Sequence, residues 1–119
     1  MARAVAYIPD LLFGSNVIGA LKTSGHDPVL VANASDLEIA LADADVLIVD
    51  LTADPSQRID LVRPTLGSRA GLKSLAFFSH VERDVRAEAE AAGFDLVVPR
   101  SRMARAGGEL VSQLAGSAG

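Results

Sequence analysis

"ADVLIVDLTADP", residues 44–55, is the stretch whose reading decides the fold of this chain. Its four consecutive apolar residues, Val46-Leu47-Ile48-Val49, end abruptly at a carboxylate, Asp50, with Thr52 and Pro55 soon after. A run that is apolar on successive residues, without alternation, is what a strand buried on both faces requires. Such strands belong to parallel sheets covered by helices on each side. Asp50 then stands at the carboxyl end of the strand, where the chain leaves the core. There it is either a polar stopper that satisfies loose backbone N–H groups or a reactive group.

The same kind of run recurs on both sides. "RAVAYI" (3–8) stops at Pro9-Asp10 and "DPVLVAN" (27–33) follows it, while "LKSLAFFSHV" (72–81) and "DLVVP" (95–99) come after the central strand. Helical patterns separate them. "LLFGSNVIGALKTSG" (11–25) sets Leu12, Val17, Ile18 and Leu21 near helical spacing and ends at Gly25. Ser35 and Glu38 form a capping-box pattern for "DLEIALADA". "PSQRIDLVRPTLGSRAG" (55–71) carries Ile59, Leu61 and Val62 and should be interrupted or kinked at Pro64. "ERDVRAEAEAAGF" (82–94) is closed by Gly93 and presents the pairs Glu82–Arg86 and Arg86–Glu90. "RAGGELVSQLAG" (105–116) supplies a last amphipathic helix. Five strands alternating with five helices predict a three-layer α/β domain, flavodoxin-like, with a parallel sheet of order 2-1-3-4-5 and right-handed crossovers. Residues 1–116 form this one domain and 117–119 a frayed tail.

The bulk properties exclude several classes. A chain of 119 residues supports one core. Half of it is apolar, a folded composition. No apolar stretch approaches the roughly 20 residues of a membrane helix, and the N-terminus has no signal-peptide pattern. Cysteine is absent, which removes disulfides and thiolate chemistry and suits a cytoplasmic location. The net charge of −4 argues against nucleic acid as a partner.

In open α/β sheets the site lies beyond the carboxyl ends of the strands. Those ends carry Asp10, Asp50, Thr52, Ser79, His80 and Arg100. Two carboxylates close together hold a divalent cation such as Mg2+, and an arginine beside them either neutralises the pair or clamps an anion. An Asp50–Arg100 salt bridge needs neither metal nor phosphate. Neither G-x-G-x-x-G nor a P-loop follows the first strand, and no G-x-S-x-G nucleophile elbow occurs. The cobalamin pattern D-x-H-x-x-G is also missing, since Asp10-Leu11-Leu12-Phe13-Gly14 has no histidine.

With these residues in place, the whole chain resembles a response-regulator receiver domain. "ADVLIVDL" resembles the phosphorylation strand with Asp50 as acceptor, "LAFFSHV" the fourth strand with Ser79 as switch hydroxyl, and "AEAAGFDLVVPR" the segment ending at the family's lysine, here Arg100. Asp10 falls on the second of the two metal-binding acids. The departures point to an atypical or pseudo-receiver. Pro9 replaces the first acid, Arg100 replaces a lysine, His80 is larger than the usual small residue, and Val97 replaces the switch aromatic. Phosphoryl transfer depends on positioning and charge neutralisation, so such losses weaken it. The resemblance therefore implies a stand-alone, non-enzymatic signalling module that works by protein contact and requires no cofactor. Its expected interface is the fourth helix, fifth strand and fifth helix, with Arg83, Arg86, Arg100 and Arg105 meeting a protein partner or a second copy in a homodimer. The alternatives are a true Mg2+-dependent phosphoacceptor, with Asp50 as nucleophile, Asp10 and Asp50 on the metal, Ser79 as switch and Arg100 with Thr52 on the phosphate, and a small-ligand-binding flavodoxin-like domain.

Overall fold

Apolar runs become the sheet and the segments between them its covering helices. The computed structural model describes residues 2–79 and 83–116, Arg83 through its backbone alone. In chain order the elements are β1 (Arg3–Tyr7), α1 (Leu11–Thr23), β2 (Asp27–Val31), α2 (Ala34–Ala40) with a tight turn at Leu41–Asp43, β3 (Val46–Asp50), α3 (Pro55–Ser68), β4 (Lys73–Phe78), α4 (Arg83–Ala92), β5 (Leu96–Pro99) and α5 (Arg100–Gly116). The sheet is wholly parallel with order β2-β1-β3-β4-β5, as the pattern predicts. Successive strand residues point to opposite faces, and each face has its own core. Val5, Tyr7, Leu47, Val49, Ala76 and Phe78 pack under α2, α3 and α4 with Leu37, Ile59, Val62 and Val85. Ala4, Ala6, Ile8, Val46, Ile48, Leu75 and Phe77 pack under α1 and α5 with Phe13, Val17, Leu21, Met103, Leu110 and Val111. No helix among the described residues is long and apolar enough to cross a membrane.

The helix ends show how local chemistry fixes the connections. Gly25 has φ +85°, its N–H donating to the Lys22 carbonyl at 3.0 Å and that of His26 to the Leu21 carbonyl at 3.0 Å. Gly93 has φ +108°, and the N–H groups of Gly93 and Phe94 return to the carbonyls of Glu90 and Ala89. Both are left-handed caps that only glycine adopts without strain. On the α1–α5 seam, a Cβ on Gly108 would lie 2.9 Å from the Ala20 carbonyl oxygen. The two helices therefore meet backbone to backbone. In β2, the Asp27 N–H donates to the Ala2 carbonyl and the Val31 carbonyl accepts from Ile8, with Pro28 between them.

Three local expectations are corrected. The α2 cap is Asn33 and not Ser35: Asn33 accepts from the Asp36 N–H at 2.9 Å, and its amide donates to the Asp36 carboxylate at 3.0 Å. Because β2 ends at Val31, Asn33 is the first capping residue the chain reaches. Pro64 does not end α3, which continues to Ser68. Leu66, beyond the proline, packs on the same core as Ile59 and Val62, and that burial keeps the last turn helical. Finally, the expected last helix is preceded by a helical piece that the pattern did not predict: α5 starts at Arg100, with Met103 buried in its first turns. The local break falls at Ala106 (φ −133°, ψ 20°), next to the weak helix formers Gly107 and Gly108. The positions of His80, Val81, Glu82 and the tail 117–119 lie outside the described residues.

Candidate functional site

Asp50 is the last residue of β3, opposite Phe77 of β4, and only 3% exposed. A carboxylate so deeply buried is costly unless it is hydrogen-bonded and faced by positive charge. Both needs are met from nearby. Oδ1 accepts from the Thr52 N–H at 2.8 Å and from the Thr52 hydroxyl at 2.6 Å. Oδ2 lies 3.7 Å from a guanidinium nitrogen of Arg58, an ion pair longer than a hydrogen bond. The same nitrogen donates to the Asp50 main-chain carbonyl at 2.9 Å. The Arg58 guanidinium also stands 5.9 Å over the Tyr7 ring, at the outer reach of a cation–π contact.

The other strand-end residues are held in different ways. Asp10 caps α1, accepting from the Phe13 N–H at 3.1 Å, and is exposed. Thr52 gives its hydroxyl to Asp50. Ser79 follows β4 directly and is half-buried. Arg100 does not pair with Asp50. It is exposed, at the start of α5, with its guanidinium 4.0 Å above the Phe13 ring. That ring in turn tilts against Phe77, with centroids 5.2 Å apart. The Asp50–Arg100 bridge is thus replaced by Asp50–Arg58. On the expected interface Arg86 and Arg105 are exposed, and Arg86 reaches Glu90 at 3.9 Å, as the i,i+4 spacing predicts.

Arg58 is the residue that sequence reasoning missed. One signal was available: it is the fourth residue of α3, where the helix dipole disfavours a cation, so an arginine there calls for an acceptor. Mg2+ fits the arrangement poorly. Among the described residues no group of three or more His, Asp or Glu side chains is placed to hold a metal ion. The two candidate acids, Asp10 and Asp50, are already engaged as a helix cap and an ion pair. Beside the site a cleft of about 600 Å³ runs past Tyr7, Pro9, Asp54, Gln57 and Arg58.

No protein-family model matches the chain, and no curated sequence does. Solved structures do match. A response regulator from Thermotoga maritima superposes with a TM-score of 0.84 at 15% identity, covering 98% of both chains. NtrX from Brucella abortus gives 0.85 at 13% identity over 98% of this chain and 26% of its own. A putative pilus assembly protein, CpaE, from Burkholderia thailandensis gives 0.80 at 16% identity, covering 98% of this chain and 99% of its own. The chain therefore has the fold of response-regulator receiver domains, which is the flavodoxin-like fold the strand pattern predicts.

Proposed function

We propose that this chain is a receiver-like signalling module that acts by protein contact and in which Asp50 is not an efficient phosphoacceptor. The observation that carries this reading is the engagement of Asp50 itself. One oxygen already accepts two hydrogen bonds from Thr52, and the other faces Arg58. An incoming phosphoryl group has to displace those contacts, and Arg58 would have to move before a metal could approach. The signalling assignment leans on the receiver fold and goes beyond it, since a fold hosts many functions.

The output surface in this reading is α4, β5 and α5, with Arg86, Arg100 and Arg105 exposed toward an acidic protein partner or a second copy of the chain. Arg83 is assigned to that surface from sequence. The lack of cysteine suits work in a reducing cytoplasm. The deciding experiment is intact-mass spectrometry after incubation with Mg2+ and acetyl phosphate, with Asp50→Asn alongside. The expected result is an unmodified wild-type mass. An adduct of one phosphoryl group on the wild type, absent from the variant, would establish the phosphoacceptor alternative.

A further inference from the structure

We propose that Arg58 is the built-in counter-cation of Asp50 and stands in for a divalent metal, so that the native site is indifferent to Mg2+ and becomes responsive once the guanidinium is removed. The inference rests on reading the chain as a receiver-like module whose Asp50 is not phosphorylated, and adds the device that holds it so.

The argument starts from the oxygens available at the strand ends. Mg2+ demands near-octahedral oxygen coordination at short range and, when few protein ligands are offered, is held by one or two carboxylates plus water. Here the Asp50 main-chain oxygen is bound by Arg58 at 2.9 Å, Oδ2 faces the same nitrogen at 3.7 Å, and Oδ1 already accepts twice from Thr52. Asp10 is spent on the Phe13 N–H, and Pro9 has no carboxylate to add. The donor set left over does not fit a metal.

It does fit a guanidinium. Arg58 has only 12% of its side chain exposed and projects from the first turns of α3, where the helix dipole opposes positive charge. A surface arginine gains nothing from that position. Beside a buried carboxylate it gains an anion, and it donates to the Asp50 carbonyl with the Tyr7 ring 5.9 Å away. The one cation thus touches both the side chain and the backbone of the same aspartate. Removing it frees Oδ2 and the main-chain oxygen of Asp50 for a small cation held by one carboxylate and water.

The test is a double-mutant cycle read by thermal melting, with wild type, Arg58→Gln, Asp50→Asn and the double variant each measured with and without millimolar Mg2+. Arg58→Gln should lower the melting temperature, and that fall should be at least halved in the Asp50→Asn background, where no negative charge is left unpaired. Mg2+ should raise the melting temperature of Arg58→Gln by mass action and leave the other three unmoved. The proposal is overturned if Mg2+ stabilises the wild type, if Arg58→Gln stays indifferent to it, or if the cost of Arg58→Gln is the same in both backgrounds. Should Arg58→Gln fail to fold, Arg58→Lys replaces it: retained charge should preserve Mg2+ indifference, and a Mg2+ response in that variant would count against the proposal. A phosphoryl adduct on the wild type would sink the functional reading and, because that chemistry needs Mg2+ at Asp50, the proposed indifference with it. A wild type that takes no adduct while the cycle fails would sink the Arg58 proposal alone.

Discussion

Adding one methyl group to each of two glycines should move stability in opposite directions. Gly19 lies on the exposed side of α1, and a Cβ built there meets nothing within 4 Å. Gly19→Ala should therefore gain only the helix-propensity difference, about 0.5–1 kcal/mol. Gly108 sits in α5 against α1. Its Cβ would collide with the Ser24 hydroxyl and approach the Ala20 carbonyl oxygen to 2.9 Å and the Ser24 Cβ to 3.0 Å. The hydroxyl can rotate away, but a helix carbonyl cannot. The helices must separate by roughly half an ångström to restore ordinary contact, loosening Phe13, Val17 and Leu21 against Leu110 and Val111. Overpacking of this kind costs about 1–3 kcal/mol. Against the propensity gain the expected net loss is about 1–2 kcal/mol, with the backbone clash placing it above zero. For a domain of this size that is a fall of about 4–8 °C in melting temperature. Urea unfolding of both variants, read by far-UV circular dichroism, gives the two signs directly. If Gly108→Ala proved as stabilising as Gly19→Ala, the close α1–α5 seam described above would be wrong.

Thr52→Val keeps the side-chain shape but removes the hydroxyl bond to the Asp50 carboxylate. Hydrogen bonds to charged groups contribute about 1.5–3 kcal/mol, and partial exposure of Thr52 lowers the expected loss to about 1–2 kcal/mol in urea unfolding. Thr52→Ser should retain most of the stability, and a valine variant as stable as wild type would contradict the bond. At the α2 cap, Asn33→Ala should cost about 1 kcal/mol and Ser35→Ala nearly nothing. The reverse order in the same denaturation assay would restore the capping box at Ser35.

The strands were legible because burial on both faces leaves an unbroken apolar signature, and Val46–Val49 shows it most plainly. Once the strands alternate with helices, right-handed crossovers leave few sheet orders, so the topology followed with little further information. Asp50 and Thr52 were legible as site residues because they stand at the exit of such a strand. The partner of Asp50 was not. Arg58 and Arg100 are both cations near strand ends, and only the geometry of α3 against β3, with Phe13 capturing Arg100, decides between them. Asn33 and Ser35 posed the same kind of problem, two competing caps two residues apart, resolved by where the preceding strand stops. Pro64 does not interrupt α3, and Leu66 beyond it packs on the core of Ile59 and Val62, a tertiary contact that the local pattern does not encode.

Pro28 has a consequence for how copies of this chain can meet. Along β2, the Asp27 N–H and the Val31 carbonyl are turned toward β1, so by alternation the main-chain groups of Pro28 and Leu30 point to the open edge of the sheet. Proline has no N–H to offer there, which leaves Leu30 as the single outward donor of the strand. The β2 border of the sheet is a poor template for another chain's strand, a common natural defence against runaway polymerisation. A second copy that associates with this one should not do so by adding a strand alongside β2.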